Sequence, residues 1–159
     1  MSYTHFGKQA EVWKHIALCE TIEIESPEVY VETNSAYAVY TLNQTPEQEY
    51  GIYNFIRKVN IYPALVQSGY YELEYPAFRN SLYIGSPGIA LNKLKDSGKN
   101  FIFFDLDKEA LSNIDGYAKT LSLSDKVALH NQDSVVGVMD MLQTLPPSTF
   151  IHIDPYEID

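Results

Sequence analysis

Four short runs of apolar residues are the clearest pattern along the chain, and each ends on a polar residue. They cover residues 29–32, 101–105, 126–130 and 150–154. Their aromatic and β-branched side chains favour strands over helices. Between the last three runs the apolar spacing changes to that of a helix, so the chain there is predicted to read strand, helix, strand, helix, strand. This order is typical of a parallel sheet with helical crossovers, which is an α/β fold.

Three segments have apolar residues at helical spacing, every three or four positions. Two of them are the predicted helices between the last three strands. They are residues 10–19, residues 107–119 after a cap at Asp107, and the segment that follows a cap at Asp133 or Ser134. The residues expected on the inward faces are Val12, Ile16 and Cys19, with Trp13 and Ala17 beside them, in the first helix; Ala110, Leu111, Ile114 and Ala118 in the second; and Val135, Val138, Met139 and Leu142 in the third.

Residues 41–85 differ from the rest because they hold much of the tyrosine of the chain. A helix is predicted over 50–59, whereas the pattern of 70–75 fits either a helix or a strand. Ser86 and Pro87 then open another helix, because proline is favoured in a first turn. No linker rich in proline or glycine divides the chain. Residues 1–159 are therefore predicted to form one domain, with a Tyr-rich helical insertion at about 41–85.

Composition narrows the class of protein. The 159 residues suit one domain, and a hydrophobic share of 45% excludes general disorder. No apolar run is long enough to span a membrane, and the start lacks a secretory signal, so a cytoplasmic protein is expected. Cys19 has no cysteine partner for a disulfide. The net charge of −10 argues against electrostatically driven binding to nucleic acid.

Polar residues at the ends of the four predicted strands mark a candidate ligand site, because open parallel sheets bind ligands beyond the carboxyl ends of their strands. The residues are Glu32, Asp105, those at 131–133, and Asp154. Asp105 suits the two hydroxyls of a ribose, and the polar end of the third strand suits an adenine edge. Asp154, Pro155 and Tyr156 suit an amine that lies against an aromatic ring. Each acid taken alone is equally consistent with an ordinary helix cap.

Three motifs resemble the RlmJ-type large-subunit ribosomal RNA adenine-N6 methyltransferases, and they occur in that family's order. The first is Ser-Tyr-Thr-His at 2–5 with Gly-Lys-Gln-Ala-Glu-Val-Trp-Lys-His at 7–15. The second is Tyr-Ile-Gly-Ser-Pro-Gly-Ile-Ala at 83–90. The third is Ile-Asp-Pro-Tyr-Glu at 153–157. Together they span the chain from end to end.

The resemblance implies a Rossmann-like S-adenosylmethionine-dependent methyltransferase fold, a parallel sheet with flanking helices, and transfer of a methyl group to adenine N6 in ribosomal RNA. It implies that Asp154, Pro155 and Tyr156 form the catalytic loop, with Tyr156 stacked on the extracted base. S-adenosylmethionine is the implied cofactor, and no metal is required. The implied cofactor-binding residues are Lys14, His15, Asn34, Ser86, Asp105, Asp133 and Ser134.

The sequence also departs from the family pattern. The glycine-rich loop expected after the first strand is Thr-Asn-Ser-Ala-Tyr-Ala at 33–38, and the final loop has one proline fewer. Methyltransferases of this class use seven strands, so the C-terminal strands are expected to be missing here. The sequence is then expected to be a fragment or shortened version of the fold, with a divergent relative or a partner that covers the exposed sheet edge, such as a second copy of the chain, as the alternatives.

Two other functions therefore stay open beside the RNA methyltransferase. One is a non-catalytic relative that serves as a binding or interaction module, which the glycine-free loop and the acidity favour. The other is a methyltransferase whose acceptor is a small molecule or a protein. No membrane partner is expected under any of these hypotheses.

Overall fold

The computed structural model describes residues 5–155, apart from the side chain of Ser97. Its strands are β1 (Val29–Glu32), β2 (Val39–Thr41), β3 (Leu82–Ile84), β4 (Asn100–Phe104), β5 (Val127–His130) and β6 (Thr149–His152). Its α-helices are α1 (Gln9–Glu25), α2 (Pro46–Gln48), α3 (Asn54–Lys58), α4 (Pro63–Val66), α5 (Gly69–Arg79), α6 (Ser86–Leu94), α7 (Lys108–Thr120) and α8 (Ser134–Met141). No helix in this range is long and apolar enough to cross a bilayer.

The four predicted strands form one parallel sheet in the order β5-β4-β1-β6 within the described residues. The register pairs Glu32 with Phe103 on one side and with His152 on the other. Residues of β1 are buried along its whole length, because the strand has a neighbour on both sides and packing on both faces. The prediction of an α/β fold with a parallel sheet and flanking helices is confirmed, and the carboxyl ends of these strands lie at one edge.

Two cores of unequal size cover the faces of this sheet. The larger contains Tyr30, Phe101 and Phe103 and is closed by residues of α1, α5, α6 and α7. The smaller contains Val29, Val31 and Phe104 and is covered by residues of α8 and the segment after it. The alternation along β1 and β4 explains this division, since successive side chains of a strand point to opposite faces.

The inward face predicted for α8 is wrong for all but one of its residues. Val138 packs on the smaller core, but Val135, Met139 and Leu142 are 70%, 64% and 49% exposed. Gly137 decides the orientation, because a Cβ there would lie only 2.2 Å from the ring of Phe104. The helix therefore presents its glycine side to the sheet and leaves an apolar stripe outside.

Helix α1 is longer than predicted, and its predicted inward face is confirmed at Val12 and Cys19, which are buried, and at Ile16, which is partly buried and packs against the larger core. Its buried residues are Val12, His15, Leu18, Cys19 and Ile22. Trp13, expected beside the inward face, is 57% exposed. The burial of Cys19 agrees with the prediction, and burial raises the pKa of its thiol to about 12.

The Tyr-rich segment is bounded by an antiparallel strand pair that the sequence pattern did not reveal. Residues of β2 and β3 pair from Val39 with Ile84 to Thr41 with Leu82. Strands of three residues are too short to show alternation, which explains why they were missed. Between them the chain is mainly helical, and the ambiguous stretch at 70–75 belongs to α5. The predicted helix over 50–59 is α3 together with a π-helical turn at Glu49–Tyr53.

Two glycines let α6 approach the loop after β1. A Cβ on Gly85 would lie 2.1 Å from the carbonyl oxygen of Tyr37, and one on Gly88 would lie 2.3 Å from that of Ala38. The amide of Gly85 also donates a hydrogen bond to the carbonyl of Ala38. Glycine is required at both positions because backbone occupies the space that a side chain would need.

Replacing Gly88 with alanine should lower the free energy of unfolding by about 1–3 kcal/mol, because the new methyl group overpacks a backbone that cannot move aside easily. Urea unfolding followed by circular dichroism measures this change. Gly116 in α7 is the matched control, since nothing lies within 4 Å of its missing Cβ. Gly116→Ala should raise the free energy of unfolding by about 0.5–1 kcal/mol through helix propensity alone. Equal effects at the two positions would contradict this close approach.

Candidate active site at the carboxyl edge of the sheet

A buried acid terminates the central strand β1. The Glu32 side chain is fully buried, and its carboxylate accepts hydrogen bonds from the hydroxyls of Tyr30 (2.9 Å) and Ser86. Nδ1 of His152 lies 3.4 Å from the same carboxylate and 3.2 Å from the Tyr30 hydroxyl. These four residues are called the Glu32 cluster below. It joins β1, β6 and the first turn of α6 at the edge where the predicted site lies.

The charge of Glu32 decides the protonation of His152. Burial by itself lowers the pKa of this imidazole, but the hydrogen bond and negative charge of Glu32 outweigh burial and hold the pKa above its usual value. A buried carboxylate is costly without a counter-charge, and His152 supplies one whenever its imidazole is protonated.

A second group of charges bridges α1 to the loop after β6. The ammonium of Lys14 lies 2.5 Å from Oδ2 of Asp154 and 2.7 Å from Oε1 of Glu11. The side chains of Lys14 and Asp154 are 43% and 30% exposed, so solvent and ligands reach both. Burial lowers the pKa of Lys14, but its hydrogen bonds with Asp154 and Glu11 raise it by more, and the net shift is upward.

His15 lies directly beside Lys14 in sequence but points into the protein. It is 4% exposed, and its Nδ1 lies 2.9 Å from the hydroxyl of the fully buried Tyr83. Burial lowers the pKa of His15 to about 3, and the positive charges of His152 and Lys14 add to this effect. His15 is therefore a neutral group that fixes α1 against β3.

The loop after β1 is tied to Asp105 at the end of β4. Ala36 adopts a left-handed conformation, with φ of 52°, and its amide donates to Oδ2 of Asp105 over 2.9 Å. The other oxygen, Oδ1, accepts the amide of Asp107 at 2.7 Å. These two bonds hold the carboxylate between the loop after β1 and the chain that follows β4. The left-handed region favours glycine, so Ala36 holds this conformation at a cost that a glycine would not carry.

The remainder of the loop is held by other side chains. Oδ1 of Asn113 accepts the amides of Ala38 and Val39, at 2.9 and 3.2 Å. The Tyr40 hydroxyl accepts the amide of Tyr37, and the rings of these two tyrosines stack 5.3 Å apart. Asn34 is exposed at the start of the loop. The loop is thus a fixed platform with Asn34 on its open side.

The third strand end contributes a helix cap. Oδ1 of Asp133 accepts the amide of Val136, which makes Asp133 the N-cap of α8. Asp133 is exposed and Ser134 is half-buried. Asn131 beside them donates to the carbonyls of Asp105 and Leu106, so the ends of β4 and β5 are bonded together.

Direct contacts link several of the predicted site residues. Lys14 contacts Asp154, Ser86 joins the Glu32 cluster, and Asp105 contacts the loop that begins with Asn34. Pro155 follows Asp154 and is half-buried. Asp133 and Ser134 lie at the end of the next strand, β5. Tyr156 and residues 2–4 lie outside the described residues.

Four residues of this edge were not predicted as site residues: Glu11, Tyr30, Tyr83 and His152. Glu11 sits three positions before Lys14 on one helix, and this spacing is a signal that could have found it. Tyr30 lies two residues before the end of β1, and His152 is the last residue of β6. At these positions a polar atom is directed toward the carboxyl edge. Tyr83 is distant in sequence, and only the fold brings it to His15.

Comparison with known proteins gives a likeness in fold. No protein-family model matches the chain, and no curated protein matches it. Among solved structures, the chain is similar to protein LPL1258 from Legionella pneumophila str. Philadelphia 1, of the family DUF519, with 27% sequence identity and a TM-score of 0.74. The match covers 96% of this chain and 58% of the Legionella chain. The likeness supports the observed fold, and the name of that protein states no activity.

The Glu32–His152 pair makes stability depend on pH in a defined direction. The pKa of His152 is raised in the folded protein, so its stabilising effect is fully present below the unfolded pKa and is lost as pH rises through the folded pKa. Urea unfolding should therefore show that His152→Gln costs more stability at pH 5.5 than at pH 9.

His15 provides the opposite sign in the same protein. Its pKa is lowered to about 3, so the stability of its neutral form is present above the unfolded pKa and is lost as pH falls below about 6.5. The stability difference between the wild type and His15→Gln should shrink on acidification, whereas the difference for His152→Gln should grow. Parallel pH profiles for the two variants would contradict these protonation states.

Proposed function

We propose that this chain is an S-adenosylmethionine-dependent methyltransferase that transfers a methyl group to N6 of adenine in ribosomal RNA. The observation that carries the proposal is the pairing of Lys14 on α1 with Asp154 after β6, at the sheet edge where Asp105 also lies. Lys14 and Asp154 belong to two of the resembling motifs, and Asp105 lies at a strand end. One cation and two acids therefore lie at the edge where open α/β sheets bind ligands. The Rossmann-like sheet order is compatible with this class of enzyme.

The chain's own residues fit the proposed cofactor in charge and hydrogen-bonding type. Lys14 offers an ammonium to the carboxylate end of the cofactor. Asp105 offers carboxylate oxygens to the ribose hydroxyls, and Asp133 with Ser134 offers polar atoms to the adenine. His15 contributes by holding α1 in place through Tyr83 rather than by direct contact, since it is buried.

The loop at 33–38 supports the fit despite its lack of glycine. Ala36 keeps the left-handed backbone and directs its amide at Asp105. Gly85 and Gly88 permit the close approach that supports the loop from below. In this interpretation the glycines that shape the loop are Gly85, at the N-cap of α6, and Gly88, within α6, and none lies in the loop itself.

Asp154 is the proposed catalytic acid. The lone pair of adenine N6 is delocalised into the ring, so the amine is a poor nucleophile. A carboxylate that accepts one of its N–H bonds favours the pyramidal form and stabilises the positive charge that develops on nitrogen. The cofactor supplies a methyl group that is already activated on a sulfonium. Positioning of the amine in line with that methyl supplies the remaining rate enhancement.

A non-catalytic binding module is the second candidate, and the condition of Asp105 favours it. Both oxygens of this carboxylate already accept backbone amides, and the residue is only 8% exposed. A relative that had lost the cofactor could use the same acid solely to hold its loop.

The net charge of −10 favours the other open function, a methyltransferase whose acceptor is a small molecule or a protein instead of RNA.

Isothermal titration calorimetry with S-adenosylhomocysteine should detect binding to the wild type. Asp105→Asn should weaken that binding by about tenfold or more, because a hydrogen bond to a charged group is lost. Asp125→Asn is the control, since Asp125 is exposed and lies 4.0 Å from Lys126 away from the sheet edge. Absence of binding to the wild type would favour the non-catalytic module.

Transfer of labelled methyl groups to ribosomal RNA should fall by about 10²-fold or more in Asp154→Asn, while S-adenosylhomocysteine binding persists. Nucleoside analysis by mass spectrometry then identifies N6-methyladenosine as the product. Asp125→Asn again serves as the control and should keep the wild-type rate. Undiminished transfer by Asp154→Asn would exclude the assigned catalytic acid.

A further inference from the structure

We propose that Lys14 sets the order of binding: its ammonium masks Asp154 until the carboxylate of the cofactor draws it away, so that cofactor binds before acceptor. This inference rests on the proposed function and concerns the same site. It assigns Lys14 a regulatory effect on Asp154 in addition to its contact with the cofactor.

The first argument is the geometry of the pair. The Lys14 ammonium lies 2.5 Å from Oδ2 of Asp154, the carboxylate proposed to accept an N–H from the acceptor amine. An acceptor that reaches this carboxylate meets a cation already bonded to it. The cation offsets the negative charge of this carboxylate, so the amine binds more tightly once the Lys14–Asp154 bond weakens.

The second argument is that only a side chain has to move. Lys14 is 43% exposed on a flexible stem, and Glu11 on the same helix keeps a bond to the ammonium at 2.7 Å. The helix itself stays fixed, because the neighbouring His15 is buried and lies 2.9 Å from the Tyr83 hydroxyl. The ammonium can thus swing between acids while the backbone of α1 stays in place.

The third argument concerns energy. A partly exposed ion pair is weak, so a second carboxylate near Lys14 competes effectively with Asp154. If the cofactor draws Lys14 from Asp154, the acceptor gains affinity in its presence. Linkage then requires the acceptor to raise cofactor affinity by the same factor.

Calorimetry can measure this coupling with S-adenosylhomocysteine and a short oligouridine RNA that carries one central adenine. In the wild type, saturation with S-adenosylhomocysteine should tighten RNA binding by about two- to fivefold, and an all-uridine RNA should show no such gain. In Lys14→Met, S-adenosylhomocysteine should bind more weakly, whereas the adenine RNA should bind more tightly than to the wild type without cofactor. The coupling factor should fall to about one.

Lys119→Met is the matched control, because Lys119 forms an exposed ion pair with Asp115 on α7 and its loss changes net charge equally. It should keep the wild-type coupling. If Lys14→Met binds both S-adenosylhomocysteine and the adenine RNA more weakly, Lys14 contacts the cofactor and Asp154 at the same time. This result overturns the masking proposal, while the methyltransferase proposal survives. Unchanged coupling in Lys14→Met also overturns it. If the wild type binds no S-adenosylhomocysteine, both proposals fail together.

Discussion

The buried carboxylate of Glu32 is the constraint on which the arrangement of this edge depends. A charge that is fully removed from water must be satisfied by hydrogen bonds and a counter-charge, and Tyr30, Ser86 and His152 provide them. These partners come from β1, α6 and β6. Satisfying one acid therefore fixes three elements relative to one another, and the ligand-facing groups are placed as a consequence.

The same edge combines rigid and movable parts. The loop at 33–38 is held by Asp105, Asn113 and the close approach of α6. The Lys14–Asp154 pair, by contrast, is half-exposed and held by side chains alone. A fixed platform with one adjustable ion pair suits a site that must take a cofactor and then an acceptor. A module that only binds a partner would not need the adjustable pair.

Sequence patterns predicted the parallel strands well, because 29–32 and 101–105 are continuous apolar runs that only a buried strand accommodates. They failed where length or periodicity was ambiguous. The strands Val39–Thr41 and Leu82–Ile84 are too short to alternate, and α8 carries apolar residues on two sides, so Gly137 rather than hydrophobicity chose its face. Strand-end acids such as Asp105 could be predicted as neighbours, but the contact of Tyr83 with His15 depends on tertiary packing alone.

The central claim is that the edge formed by Lys14, Asp105 and Asp154 takes an S-adenosyl cofactor. A crystal structure of the chain soaked with S-adenosylhomocysteine tests it most directly. The account predicts the ribose hydroxyls on Asp105, the ligand carboxylate on the Lys14 ammonium, and the loop at 33–38 against the thioether. The account would be contradicted by density for the ligand at another surface. It would also be contradicted if the loop at 33–38 covered Asp105 and excluded the ligand at saturating concentration.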